Sequence, residues 1–156
     1  TSNQRVTLGY GSNKVEIDLD GSDTSWAASS DVRLKENIQD SSAGLSFIND
    51  LRPVTFDWKK RKDITPELDE YYEEGSEKRI HGKEGITYHG FIAQEIEEVI
   101  SNHSEVMNGL GFLNSRDDGV LTAAPSALVP ILVKSIQELS AKCDSLQNEI
   151  NILKGE

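Results

Sequence analysis

The feature that most constrains this chain lies near its C-terminal end. From Val129 the apolar positions fall at Leu132, Ile136, Leu139, Cys143, Leu146, Ile150 and Leu153, spaced alternately by three and four. This is an a/d heptad pattern sustained over more than three heptads, and it predicts a long helix with one apolar seam. Pro125 suits the first turn of a helix, and Pro130 either kinks that helix or marks its true start. Such a stripe with polar flanks needs a partner. Either the helix packs on its own domain or it forms an oligomer seam, and the seam is the expectation. By residue type, β-branched or small residues at a with Leu at d lean towards parallel dimers, so composition alone does not specify a trimer.

The rest of the chain is lean in apolar residues and unevenly charged. Of 156 residues 36% are hydrophobic, and the formal net charge is −11. Residues 63–105 alone carry −9, directly after a stretch of +4 at 52–62. The acidic balance argues against nucleic acid as a partner, since phosphate binding needs a basic surface. No apolar run approaches the length of a membrane-spanning helix, and no charged segment followed by an apolar one marks a secretory signal. The single cysteine, Cys143, excludes an internal disulfide framework and a cysteine-based zinc site.

Period-two alternation at Arg5–Leu8 and Val15–Leu19, joined by Gly9–Asn13, predicts two short strands followed by a polar connector at Asp20–Ser25. A hairpin this short is marginal alone. With Thr1 rather than Met at the start, it leads to the expectation that residues 1–30 are the tail of a longer β-rich chain. Residues 31–38 lead into a helix at 41–51 with Leu45, Ile48 and Leu51 on one face. Pro53 ends it, and Val54, Phe56 and Trp58 fall on one side of a strand. Residues 59–85, highly charged, read as a long solvated excursion. A strand resumes at 86–91. A helix follows at about 92–101 with Ile92, Ile96, Val99 and Ile100 inward, and Val120-Leu121 is a last short strand.

Ser30 and Lys35 stand five residues apart where the strand-like leader meets the compact region. A serine hydroxyl is a poor nucleophile unless a base takes its proton. A lysine serves as that base when desolvation or a nearby cation, here Arg33, favours its neutral form. Spacing alone means little, but an exposed junction is where a self-cleavage site belongs.

Three blocks carry a family resemblance. The run Ser30-Asp31-Val32-Arg33-Leu34-Lys35-Glu36-Asn37-Ile38 resembles the signature of the C-terminal intramolecular chaperones of phage tailspikes and tail fibres, the autoproteolytic S74 peptidases of endosialidase type. Gly90-Phe91-Ile92-Ala93-Gln94-Glu95-Ile96-Glu97 is similar to their second hallmark, and Leu128–Leu139 to their closing helix. The resemblance spans about residues 30–154.

It implies an α+β fold: a small mixed domain of short strands and helices with a long C-terminal coiled-coil helix, assembled as an intertwined homotrimer behind a β-strand leader. The implied layout is passenger end and junction at 1–30, chaperone and autoprotease at 31–124, and trimerisation helix at 125–156. Ser30 becomes the nucleophile and Lys35 its general base, with the cut beside Ser30, at Ser30–Asp31. Ser30 attacking its own carbonyl would close a strained four-membered ring. Attack in cis on the Ser29–Ser30 carbonyl is easier, and attack in trans within a trimer reaches either bond. Arg33, Asn37, His89, Gln94 and Glu95 are candidates for support, with Asn37, Gln94 or backbone amides as oxyanion donors. The implied partners are two further copies and the chain's own passenger, with no nucleic acid, membrane or cofactor. The implied setting is a virion precursor in the bacterial host cytoplasm.

Other readings stay beside this one. His89 either supports catalysis or faces polar neighbours in a strand, and the structural role is favoured. His81 and His103 lack the spacing of metal ligands, and His89 lacks a ligand partner, so no metal is expected. Gly109-Leu110-Gly111-Phe112 reads as a turn rather than a phosphate loop. Lys59–Lys62 reads as a solvated strand end. On helix 92–101, Glu95, Glu97 and Glu98 are either an outer face or, with Gln94, a hold on the junction or a neighbouring protomer. The competing function is a non-catalytic trimeric fibre tip with 59–85 as a receptor-binding loop.

Overall fold

The alternation near the start becomes an antiparallel hairpin in the computed structural model, which describes residues 5–19, 25–106 and 110–155. The connector Asp20–Thr24 and Gly109 lie outside the described residues. The chain divides into two compact units, Thr1–Asp40 and Ser41–Glu156.

In the first unit β1 (Arg5–Tyr10) pairs with β2 (Asn13–Asp18), from Arg5 opposite Asp18 to Tyr10 opposite Asn13. The strands run longer than the alternation predicts because the reversal takes only Gly11 and Ser12, with Gly11 at φ +59°. That left-handed conformation suits glycine. Arg5 bonds Asp18 at 2.6 Å and Glu16 at 3.0 Å across the pair. β3 (Ala27–Ala28) adds a third antiparallel strand, which two alanines give no periodicity to reveal. Val6, Leu8 and Tyr10 are exposed, so this sheet buries little.

The second unit is built on one core of Ala43, Phe47, Leu51, Ile96, Val106, Phe112, Leu128 and Ile131. α1 spans Leu45–Asp50, shorter than predicted, because Leu51 turns extended two residues before Pro53. Its innermost side chain is Phe47, which is fully buried; of the predicted face, Leu51 is buried and Leu45 and Ile48 are half-buried.

β4 (Val54–Phe56) pairs antiparallel with β5 (Tyr88–Gly90), placing Thr55 opposite His89. The strand period continues to half-buried Trp58, which meets Phe56 edge-on at 5.2 Å. The charged excursion between these strands is folded back on itself. Arg61 N–H donates to Lys78 O at 2.7 Å, and Ile80 N–H to Lys59 O at 3.0 Å. Lys60 and Lys62 both pair with Glu77, so the basic run closes an irregular hairpin instead of ending a strand freely.

α2 (Ala93–Asn102) buries Ile96 and half-buries Val99 and Ile100. Ile92 is its extended N-cap and is 37% exposed, contrary to the inward placement predicted from periodicity. β6 (Leu113–Ser115) pairs with β7 (Leu121–Ala123), and fully buried Phe112 precedes the pair. Phe112 meets Phe91 edge-on at 5.5 Å, a favoured aromatic geometry.

A 3-10 turn at Pro125–Leu128 leads into α3 (Val129–Lys154), with Pro130 in its first turn. Pro130 therefore marks the start of the helix and does not kink it. Leu128, Ile131 and Ser135 face the core against α1, and the Ser135 hydroxyl donates to Ile131 O at 2.8 Å. Glu138 on the same face accepts the N–H of Leu45 at 2.9 Å, capping α1 from 93 residues away. Gly44 permits this, since a Cβ there would come within 2.5 Å of the Glu138 carboxylate.

The heptad stripe lies on a different face. Val129, Leu132, Ile136, Leu139, Leu146, Ile150 and Leu153 are all exposed, as is Cys143. The helix thus packs on its own domain through one face while the a/d seam stays uncovered among the described residues.

Candidate active site

The junction follows β3. Asp31 is extended (φ −66°, ψ 134°) and caps a single 3-10 turn, Val32–Leu34. Leu34 N–H donates to Asp31 O at 3.0 Å, and Lys35 N–H to Val32 O at 3.1 Å. Lys35 then leaves in an extended conformation. The turn brings its side chain back along the chain, and Lys35 Nζ donates to Ser30 Oγ at 2.8 Å. Five residues of extended strand would separate the two by about 16 Å. The contact is therefore a product of the turn.

Arg33 takes a different part from the cation beside Lys35 that the spacing implied. It forks onto Asp31, with Nε donating to Oδ1 at 2.9 Å and Nη2 to Oδ2 at 2.6 Å. The Arg33 side chain, then its backbone N–H, holds the Asp31 carboxyl below its ordinary range, and Asp31 in turn raises Arg33. Asn37 has φ +52°, a left-handed conformation that asparagine tolerates better than most residues. Val32, Leu34 and Ile38 are exposed around the pair, so Ser30 and Lys35 stand in water.

Ser30, Arg33, Lys35 and Asn37 belong to the first unit, and His89, Gln94 and Glu95 to the second. His89 is exposed on β5 opposite Thr55. With Pro53, Val54, Gly90, Phe91 and Pro125 these two residues line an open groove of about 500 Å³. Gln94 is exposed on the first turn of α2. Glu95 is paired with Arg52, which lowers the carboxyl by its hydrogen bond.

Spacing arguments passed over His103. It is buried, with Nε2 2.8 Å from Asp50 and Nδ1 2.8 Å from Glu105, and its ring meets Phe47 edge-on at 5.3 Å. Both ring nitrogens can donate only when the imidazole is charged. The hydrogen bond it donates to Asp50, then that to Glu105, raises its pKa above 6.5 against the cost of burial. Neither carboxylate is a helical-face neighbour in sequence, so only a three-dimensional view reveals the arrangement.

Residues 30–105 match the family model described as the chaperone of endosialidase, peptidase family S74. They are similar to that family over 76 of the chain's 156 residues. No curated protein and no solved structure gives a match to this chain. The matched chaperone segment opens on Ser30 and ends on Glu105, taking in the Ser–Lys pair, α1, the β4–β5 pair and α2. Helix α3, the third block of the resemblance, follows it.

Proposed function

We propose that this chain is a self-cleaving intramolecular chaperone. It would trimerise through the a/d face of α3, assist folding of a β-structured tailspike or tail fibre joined before residue 30, and then release itself. The observation that carries the proteolytic half is the 2.8 Å contact between Lys35 Nζ and Ser30 Oγ, side chains set five residues apart and joined by a formed turn. In the reaction, neutral Lys35 takes the Ser30 hydroxyl proton as Oγ attacks the carbonyl carbon of the scissile bond. The C–N bond breaks, the leaving nitrogen takes the proton back from Lys35, and water hydrolyses the resulting ester. Attack in cis on the Ser29 carbonyl passes through a five-membered ring, whereas Ser30–Asp31 requires attack from a neighbouring protomer.

Two further features support the reading. α3 is about 39 Å long, yet beyond Glu138 none of its side chains is buried. Most helical stability in proteins comes from packing of an apolar face rather than from propensity, and an unbroken a/d stripe is what a homotrimeric partner would cover. Ser30 and Lys35 are exposed in the single chain, so assembly that closes over the junction is what would exclude water from the pair. Cleavage then reports correct assembly. A trimeric clamp raises the local concentration of slow-folding β-chains and sets their register. Its removal leaves the finished spike, a virion component made in the host cytoplasm, kinetically trapped.

Denaturing electrophoresis tests the chemistry. Wild type should release a fragment of about 14 kDa, the share of 126 residues in a 156-residue, 17.3 kDa chain. Ser30→Ala and Lys35→Ala should remain whole, and the fragment's N-terminal residue, Ser30 or Asp31, identifies the bond. A wild type that stays intact as a trimer would refute proteolysis and leave the non-catalytic fibre tip. A monomer at micromolar concentration would refute the seam.

A further inference from the structure

Beside Ser30 and Lys35, one group at the junction is bonded in a way that neither nucleophile nor base explains. The Asp31 carboxylate accepts three hydrogen bonds. Oδ1 takes the backbone N–H of Arg33 at 2.8 Å and its Nε at 2.9 Å, and Oδ2 takes Nη2 at 2.6 Å. We infer that Asp31 is the positioning residue of the Ser–Lys pair: its carboxylate closes the turn that aims Lys35 at Ser30, and Arg33 locks the carboxylate in place. This rests on the Ser–Lys reading above.

The argument is one of magnitude. Fixing the backbone of each residue in the turn costs about 1–2 kcal/mol of conformational entropy. In a folded core, burial offsets that cost. Here Val32 and Leu34 are 67% and 72% exposed, so their burial offsets little of it. The backbone bonds that define the turn, to Asp31 O and Val32 O, form only once the chain has already reversed. What favours the reversal is the N-cap, where a side-chain acceptor takes an otherwise unmet N–H at the start of the turn. A lone capping carboxylate in water could rotate away. The planar guanidinium of Arg33 holds both of its oxygens and fixes the rotamer. The two arms converge on one carboxylate, and its consequence is the Ser30–Lys35 contact.

The division of labour is testable within the full chain. Cleavage rate against pH would be followed for wild type, Asp31→Ala, Asp31→Asn and Arg33→Ala, together with amide exchange at Leu34 and Lys35 in the Ser30→Ala background, where the chain stays whole. Asp31→Ala should cleave about 100-fold more slowly, the scale of a misplaced catalytic group. Asp31→Asn retains an oxygen for the Arg33 N–H and should recover most of the rate. Arg33→Ala should fall between them. The pH midpoint should be common to all, and the two amides should exchange severalfold faster in Asp31→Ala. Wild-type cleavage by Asp31→Ala, a slowing that only shifts the pH midpoint, or unchanged amide exchange would each overturn the positioning role. An uncut wild type would overturn the Ser–Lys reading instead, and is distinguished because the amide exchange still reports the turn.

Discussion

Around Phe47, Ile96 and Phe112 the side chains are closed off from water, whereas Ser30, Arg33 and Lys35 are exposed at a junction held by polar contacts. The first region derives its stability from burial, which scales with area and tolerates no gap. The second buries little and is ordered by hydrogen bonds and one ion pair, each of small net worth in solvent. The difference teaches that burial and polar order occupy separate parts of the chain. The core draws none of its members from residues 30–38, and those residues are all exposed.

The largest effect that checks this separation is Phe112→Ala. It removes a fully buried ring and should cost about 3–5 kcal/mol in urea unfolding, while Lys35→Ala should leave the unfolding midpoint in place. A comparable loss from both would break the comparison. Glu138→Ala comes next. It leaves the Leu45 N–H without its carboxylate, a loss of about 1 kcal/mol, read from the same transition. Should α1 prove unaffected, the long-range cap adds nothing and the body is held by its apolar contacts alone.

The smallest effect sharpens the boundary between burial and polar order inside the body. His103 has its pKa raised in the folded state, chiefly by Asp50 and then by Glu105. Its contribution is therefore complete below the ordinary histidine range and is lost as pH rises through the raised value, above 6.5. The loss should be about 0.5 kcal/mol, the low end for one hydrogen bond, because a neutral ring leaves one carboxylate without a donor and Asp50 is 59% exposed. Thermal unfolding from pH 6 to 9 should decline in wild type and lie flat in His103→Gln. A parallel decline in both would remove His103 from the account.

How much was legible depended on how local the cause was. The heptads of α3, the strands around Val54 and Tyr88 and the apolar positions Ile96, Val99 and Ile100 follow from periods of 3.5, 2 and 3.6 within one segment. β3 and β6 were not legible, because neither Ala27-Ala28 nor Leu113-Asn114-Ser115 shows an alternation of large apolar side chains. Phe47 rather than Ile48 points fully inward because α1 is oriented by α3, and Ile92 is exposed because it caps α2 instead of joining it. At the junction, Ser30 and Lys35 were named from the family signature. That Arg33 engages Asp31 rather than Lys35 depends on the 3-10 turn, which residue types permit without requiring.

The sequence by itself determined that residues 129–153 form a helix with an apolar seam, and that residues 30–105 carry the chaperone-of-endosialidase pattern. Both are written in the order and spacing of side chains along one stretch of chain. Tertiary structure alone decided that α3 uses a second face, through Ile131 and Ser135 behind Leu128 of the preceding turn, to hold its own domain and leaves the seam free. It also decided that Glu138 caps α1, and that His103 lies between Asp50 and Glu105. Glu138 and Asp50 meet their partners 93 and 53 residues away, and no local period encodes a contact that only the packed core brings into reach.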